Sequence, residues 1–409
     1  MKGDNVLYFN VYSGKILEFP AEKYGDIIRD LTRKLVSPRN LRVIRITSEE
    51  LENPIIAEFV GLIREHFMGD RIDTAFSKSK PFQAAPTRTK VHDDVRSHLK
   101  DPDLNLGKKI MDYLFEFTLY LNDSCSNECT ECRNLYKQSI WCHTSGKKKE
   151  HNLDLPALTK FFEETKGCNL THINITGGNI LRYPHLHELS QFLSGVDYPV
   201  HFYLHYLNVD DEIEKLGWLK SIDHRFRLLC HFPMDTERFK NAFARVSRMG
   251  LNILPIFLVQ SEEEYNTLEQ MFTGSGIEGM TFLPFYNGEN FEFFRSNFFV
   301  TREEIESLKP EQRKIDGNSK INMDNFGKLT ILPNGDVHAN VMTSSLGNLG
   351  KQSIYECIFN EMKNGKNWFR LRKHVMPCKR CVFELLCPPL SNYNRALKRN
   401  NMCVIYKED

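Results

Sequence analysis

Phe115-Glu-Phe-Thr-Leu-Tyr-Leu-Asn-Asp-Ser-Cys125-Ser-Asn-Glu-Cys129-Thr-Glu-Cys132 is the stretch on which the reading of this chain turns. The apolar run Phe115–Leu121 reads as a strand, and it feeds straight into a Cys-x3-Cys-x2-Cys loop. Iron–sulfur clusters normally take four thiolates, so Cys125, Cys129 and Cys132 alone leave one iron open to a small molecule. A zinc reading stands beside it, in which Cys142 or His143 adds a fourth ligand and closes a knuckle without catalysis. The setting favours iron, because the loop leads a β/α series.

Outward from Phe115, apolar strands alternate with amphipathic helices. The strands are expected at Phe115–Leu121, His172–Thr176, Val200–Leu207, Phe226–Phe232, Asn252–Val259 and Gly279–Tyr286. Between them, helices are expected at Pro156–Thr165, Pro184–Leu193, Asp211–Leu219, Thr236–Met249 and Glu262–Phe272. In the fourth, Phe239, Ala242, Phe243 and Val246 make one apolar stripe, and Gly250 supplies a left-handed cap. Six such units predict an α/β fold, a parallel sheet or partial (β/α)6 barrel over residues 110–309. Its site belongs at the carboxyl ends of the strands. The cysteine loop lies at such an end, and so does Gly177-Gly178 after the second strand. Glycines there let a backbone approach a ligand, although the pair is equally a tight turn.

Residues 1–70 read as a small α+β module of winged-helix-like composition. Asn5–Tyr12 and Lys15–Phe19 flank the Ser13-Gly14 turn, Tyr24 to Leu35 has helical spacing, and Leu41–Thr47 is strand-like. Pro54 opens a further helix that Gly69 ends. Residues 71–109 are polar and proline-bearing, a linker. The tail, residues 310–409, begins with the hairpin pattern Phe326–His338 around Asn334-Gly335. It ends in Cys378-x2-Cys381-x5-Cys387 with Cys403 beyond, enough to close a four-thiolate site for zinc or for a cluster.

Composition narrows the function classes. Among 409 residues, 54 Lys and Arg against 53 Asp and Glu leave a formal charge of +1, so nucleic acid and an acidic membrane surface have no electrostatic footing. No apolar stretch reaches the roughly 18 residues of a membrane span, and Met1-Lys-Gly-Asp does not read as a signal peptide. Eleven cysteines without an export signal fit a reducing, cytoplasmic setting in which clustered thiols bind metal. Cys168, Cys230 and Cys357 read as buried thiols, Lys147–Lys149 as a solvated loop, and Phe291, Phe293, Phe294, Phe298 and Phe299 as core, a domain seam or a peptide groove.

Taken together, these motifs resemble the radical S-adenosylmethionine (radical SAM) superfamily with a C-terminal SPASM domain. Cys125, Cys129 and Cys132 match its cysteine spacing, Gly177-Gly178 falls at its Gly-Gly-Glu-Pro turn, and the tail cysteines match its outer auxiliary cluster. The resemblance covers residues 110–409. It implies two 4Fe–4S clusters, one SAM-binding on the trio and one auxiliary on Cys378, Cys381, Cys387 and Cys403. It also implies a methionine end of SAM lined by Gly177, Gly178 and Asn179. Reductive cleavage of SAM to a 5′-deoxyadenosyl radical would then abstract hydrogen from a ribosomally made peptide.

The chain departs from that pattern in places. Glu131 stands where an aromatic residue is usual, Asn179-Ile180 replaces Glu-Pro, and Asn340 and Ser391 stand where the inner auxiliary cluster has cysteines. These edits resemble the pseudo-radical-SAM/SPASM proteins of Bacteroidales-type peptide systems. The alternative activity is therefore a catalytically degenerate partner that binds the precursor peptide for a sibling radical SAM maturase; a zinc-binding structural protein is the other. The implied partners are the precursor peptide, bound by residues 1–70 as a recognition module, and an electron donor such as flavodoxin or ferredoxin. As a module of this size, residues 1–70 are equally a packing domain without a ligand.

Overall fold

The computed structural model describes residues 4–35, 46–70, 110–127, 129, 131–144, 150–209, 212–220, 224–277, 279–365 and 367–405. The expected linker, the strand at Leu41–Thr47 (apart from its last two residues) and Lys147–Lys149 lie outside the described residues.

Six parallel strands carry the centre of the molecule: β3 (Glu116–Tyr120), β4 (His172–Thr176), β5 (Val200–His205), β6 (His224–Cys230), β7 (Asn252–Val259) and β8 (Thr281–Pro284), paired in that order. Phe117, Thr118, Leu119 and Tyr120 are all buried, as are Ile173 to Thr176. Strands covered on both faces need such continuous apolar runs. Helices return the chain between them. α5 (Leu155–Glu164) starts on the Asp154 side chain, which accepts from the Ala157 N–H, and buries Leu158, Phe161 and Phe162. α7 (Thr236–Arg248) buries Phe239, Ala242 and Val246, and the chain leaves it through Gly250 at φ +71°. α6 (Leu186–Leu193) and α8 (Glu262–Phe272) complete the series.

One expected helix differs. Ile213–Leu219 is a 3-10 segment, its bonds running i to i+3 as in Lys215 N–H to Glu212 O at 3.0 Å. Gly217 in so short a segment weakens an α-helix, and the tighter turn takes its place.

The tail extends the same sheet. β9 (Lys328–Ile331) lies parallel to β3, and β10 (Asp336–His338) and β11 (Gly347–Asn348) follow antiparallel, so the sheet has nine strands in the order β11-β10-β9-β3-β4-β5-β6-β7-β8. Gly335 makes the hairpin turn at φ +84°. At the amino ends of the strands, half-buried Glu116 lies 3.2 Å from Lys328 Nζ and 3.6 Å from His172 Nε2 and accepts Asn174 Nδ2 at 2.9 Å. Burial alone would raise its carboxyl, but His172 and Lys328 outweigh it and hold the pKa down to about 2.

The first residues form a two-stranded antiparallel sheet, β1 (Asn5–Phe9) and β2 (Ile16–Pro20), with α1 (Ala21–Leu35), α2 (Ser48–Glu52) and α3 (Pro54–Glu65). Alternation sorts its faces. Val6 and Phe19 pack with Tyr24, Ile28 and Phe59, while Leu7, Phe9 and Ile16 pack on Ile305, Cys381, Phe383 and Cys387 of the tail. Arg302 clamps that seam, reaching Glu18 at 2.6 Å and lying over the Phe383 ring. The phenylalanine cluster is also a seam. Phe294, on α9 (Phe291–Phe298), is fully buried against Phe298, Phe299, Tyr393 and Leu397, and Tyr393 Oη donates to Pro284 O at 2.8 Å.

Candidate metal and cofactor site

After β3 the chain runs beside the turn that follows β4. Leu121 N–H donates to Thr176 O at 2.8 Å, Gly178 N–H to Asn122 O at 2.9 Å, and Asn179 N–H to Ser124 O at 2.6 Å. Asn122 ties the two together again, donating from Nδ2 to Asn179 O at 2.7 Å and accepting Gly178 N–H at Oδ1. A Cβ on Gly178 would run into the Ser124 carbonyl, and one on Gly177 would lie 2.7 Å from Asn122 Oδ1. Glycine is therefore required by the approach of the cysteine loop itself.

That loop and the ends of β5 and β6 bring sulfur and nitrogen together. Asn208, fully buried just beyond β5, accepts Asn127 Nδ2 at 2.5 Å and points its own Nδ2 at Gly178 O (3.3 Å) and Cys125 Sγ (3.9 Å). His205 ends β5 and His231 follows β6. Their Nε2 and Nδ1 atoms are 2.9 Å apart, and Cys129 lies with them in one group spanning no more than 4.8 Å. Cys132 Sγ is 3.4 Å from Cys142 Sγ, both residues buried. The segment carrying Cys142 is pinned at both sides, by Thr176 Oγ1 on Trp141 O and by His143 N–H on Gly177 O.

The electrostatics follow from crowding. Burial raises the Cys125 thiol; the Cys132 neighbour and burial raise Cys129 well above the usual thiol range. Cys132 is raised as well: its bond to Cys129 works downward, and Cys142 and burial outweigh it. Burial pushes His205 down to about 3 and His143 down to about 4. Turning such thiols into thiolates takes a positive charge among them, which is what a metal centre supplies.

The expected tail ligands also converge. Cys378, Cys381, Cys387 and Cys403 line one small cavity with Arg372, whose Nη1 donates to Cys378 Sγ at 3.3 Å. Cys403 reaches it because a bridge to Val300, supported by Val300 N–H on Met402 O, anchors the end of the chain. Burial pushes the Cys387 thiol up to about 12. The donor set fits a four-thiolate metal centre, either cluster or zinc.

No family model matches this sequence, and no curated protein matches it. Among solved structures it is similar to Streptococcus suis SuiB bound to the precursor peptide SuiA, at 11% identity over 98% of each chain with a TM-score of 0.50. SuiB bound to S-adenosylmethionine aligns at 11% identity over 99% of each chain, TM-score 0.43. A hexahistidine-tagged anSMEcpe with bound AdoMet aligns at 14% identity over 70% of this chain and 92% of that one, TM-score 0.48. The chain shares the fold of SuiB.

Within this fold, the residues that depart from the expected sequence pattern take defined places. Asn179 is fully buried and caps a 3-10 turn, its Oδ1 accepting Leu181 N–H at 3.0 Å, while its Nδ2 has no hydrogen-bond partner among the described residues. That buried N–H suits an anionic acceptor. Glu131 precedes α4 (Cys132–Gln138) without making a side-chain cap bond. Asn340 pairs with Asn392 at 2.6 Å and accepts Met342 N–H at 2.9 Å, and Ser391, just before α10 (Asn392–Ala396), donates its N–H to Asn394 Oδ1 at 2.9 Å. Neutral hydrogen-bonded side chains stand where a second tail set would need thiolates. Cys230 and Cys357 are buried as expected, but Cys168 is only half-buried, because it sits in the turn after α5. Asn208, His205 and His231 were not foreseen. The signal was their place at the carboxyl ends of two barrel strands.

Proposed function

We propose that the chain is a radical SAM iron–sulfur protein that acts in the maturation of a ribosomally made peptide. The observation that carries this reading is the assembly of Cys125, Cys129 and Cys132 with the Gly177-Gly178 turn at the carboxyl edge of a partial barrel. The alignment with peptide-bound SuiB along the whole chain supports the peptide substrate. On this reading the trio holds a SAM-binding 4Fe–4S cluster, and Cys378, Cys381, Cys387 and Cys403 hold one auxiliary cluster. Gly177, Gly178 and Asn179 line the methionine end. When bound, the cofactors supply one-electron chemistry, reductive cleavage of SAM to a 5′-deoxyadenosyl radical that takes hydrogen from the peptide.

The chain's own residues bind, orient and exclude water. Residues 110–309 form the shielding barrel, 310–409 the SPASM-like domain, and 71–109 the linker. Residues 1–70 recognise the precursor. Both faces of β1–β2 are covered, so an extended peptide adds to that sheet at an edge. A flavodoxin or ferredoxin in the same compartment donates the electron.

One observation favours a second reading, a degenerate partner that presents the peptide to a sibling maturase. Asn179, which stands where the resemblance puts a carboxylate for the methionine ammonium, offers only a neutral oxygen that already accepts Leu181 N–H.

Anaerobic reconstitution decides between them. About eight iron and eight sulfide per chain support two cubanes. Formation of 5′-deoxyadenosine with SAM and dithionite then marks an enzyme. Iron without cleavage marks the partner, and colourless zinc protein overturns both.

A further inference from the structure

Each sulfur of the trio faces a different hydrogen-bond donor, and none of the three donors belongs to the cysteine loop. Cys125 Sγ lies 3.9 Å from Asn208 Nδ2 and 3.8 Å from its Oδ1, and a thiolate there can only accept, which selects the Nδ2 end. The orientation of Asn208 is set by its other bonds, since Oδ1 accepts Asn127 Nδ2 and Nδ2 donates to Gly178 O. Cys142 stands 3.4 Å from Cys132 Sγ. Once Cys132 is a thiolate it has no proton, so the S–H in that pair belongs to Cys142. His231 lies with Cys129 and His205 in one group whose ligand atoms are within 4.8 Å of one another. Its tautomer is read from the far end of a chain: Leu207 N–H donates to His205 Nδ1 at 3.3 Å, so the His205 proton is on Nε2 and goes to His231 Nδ1 at 2.9 Å. With its Nδ1 accepting, His231 carries an N–H on Nε2, the nitrogen left to donate toward sulfur.

We propose that Asn208, His231 and Cys142 are positioning residues that donate one hydrogen bond to each of Cys125, Cys129 and Cys132 and thereby ease reduction of the centre those cysteines hold. The inference rests on the reading of the trio as cluster ligands. The physics is general: reduction adds negative charge to the cluster and its sulfurs, and a donor aimed at sulfur stabilises that charge more than it does the oxidised state. Three donors in a buried setting act where screening by water is least. His205 contributes through His231 by holding its tautomer.

The test is a redox titration of the anaerobically reconstituted full chain, followed by electron paramagnetic resonance. The relevant signal is the one lost in Cys125→Ala/Cys129→Ala/Cys132→Ala. Asn208→Ala, His231→Phe and Cys142→Ala should each shift its reduction equilibrium about two- to tenfold toward the oxidised form, where tenfold is about 59 mV for one electron. His231→Gln and Cys142→Ser, which keep a donor, should recover most of the shift. Loss variants that assemble the centre and titrate like the parent overturn the inference. If a loss variant takes up no iron, the unaltered protein decides: after exchange into D2O its reduced signal should show exchangeable protons coupled to the cluster, and their absence overturns the proposal. A parent with no iron at the trio is a separate outcome, which overturns the reading beneath it as well.

Discussion

Cys132 Sγ and Cys142 Sγ lie 3.4 Å apart in a pocket closed by Leu135 and Trp141. The pair separates two chemistries. In a zinc knuckle closed by Cys142 rather than His143, Cys142 is a ligand, and its loss empties the site. In an open cluster site it is a neighbour. Cys142→Ala should therefore retain about four iron at the trio, whereas Cys132→Ala should lose them. Iron and zinc analysis of both variants checks this, and metal loss in Cys142→Ala would favour the knuckle.

Gly178 sits against the backbone of Ser124, one residue before Cys125. Any side chain there must push the cysteine loop away from the β4 turn and break the Asn179 N–H bond to Ser124 O. Gly178→Ala should destabilise the barrel by about 2 kcal/mol, the scale of overpacking a filled site. The same variant should reconstitute with less iron at the trio. Thermal unfolding and iron content measured together test the link; full iron loading in a destabilised variant would disconnect the turn from the loop.

Glu116 couples the barrel to the tail hairpin, since it pairs with Lys328 of β9 at 3.2 Å and lies 3.6 Å from His172 of β4. Its carboxyl is held at about 2, below its ordinary value of 4.5. A depressed carboxyl contributes stability that is complete above the ordinary value and is lost as pH falls through the folded one. The difference corresponds to about 3 kcal/mol, removed between roughly pH 4.5 and pH 2. Glu116→Gln should lower stability at neutral pH and flatten the acid limb relative to the parent. Denaturant midpoints at about pH 6, 4 and 3 give the comparison.

How far the sequence could be read follows from which residues carry local signals. The β/α alternation was legible because each element has its own period and caps, as in Glu262–Phe272, found over the residues expected. The trio and the tail set were legible because close spacing of thiols survives any folding. The docking of β9 beside β3 was not, for a strand carries no mark of its parallel neighbour beyond an apolar run. Asn208, His205 and His231 lie 76 residues or more beyond Cys129 in the chain, and only the closure of the barrel brings them to it. The Gly-Gly turn was located correctly, but its cause was not visible: the backbone it approaches is that of the cysteine loop.

The tail centre and the N-terminal hairpin share one apolar cluster. Leu7, Phe9 and Ile16 rest on Cys381, Phe383, Leu386 and Cys387, so the hairpin packs against the loop that carries Cys381 and Cys387, two of the four thiols lining the tail cavity. A metal there contributes folding free energy, because unfolded thiols do not present a formed site. Removing it should loosen the loop and, with it, the surface under β1 and β2. Cys381→Ala/Cys387→Ala should therefore speed amide exchange across Asn5–Phe9 and Ile16–Pro20 by about tenfold or more, the response of a unit that opens with its support. Exchange in β5 and β6, far along the sheet, should stay at its parent rate. Hydrogen–deuterium exchange by mass spectrometry reads both regions in one experiment. Unchanged protection of the hairpin would mean that its own core of Val6, Phe19, Tyr24 and Phe59 holds it without the tail.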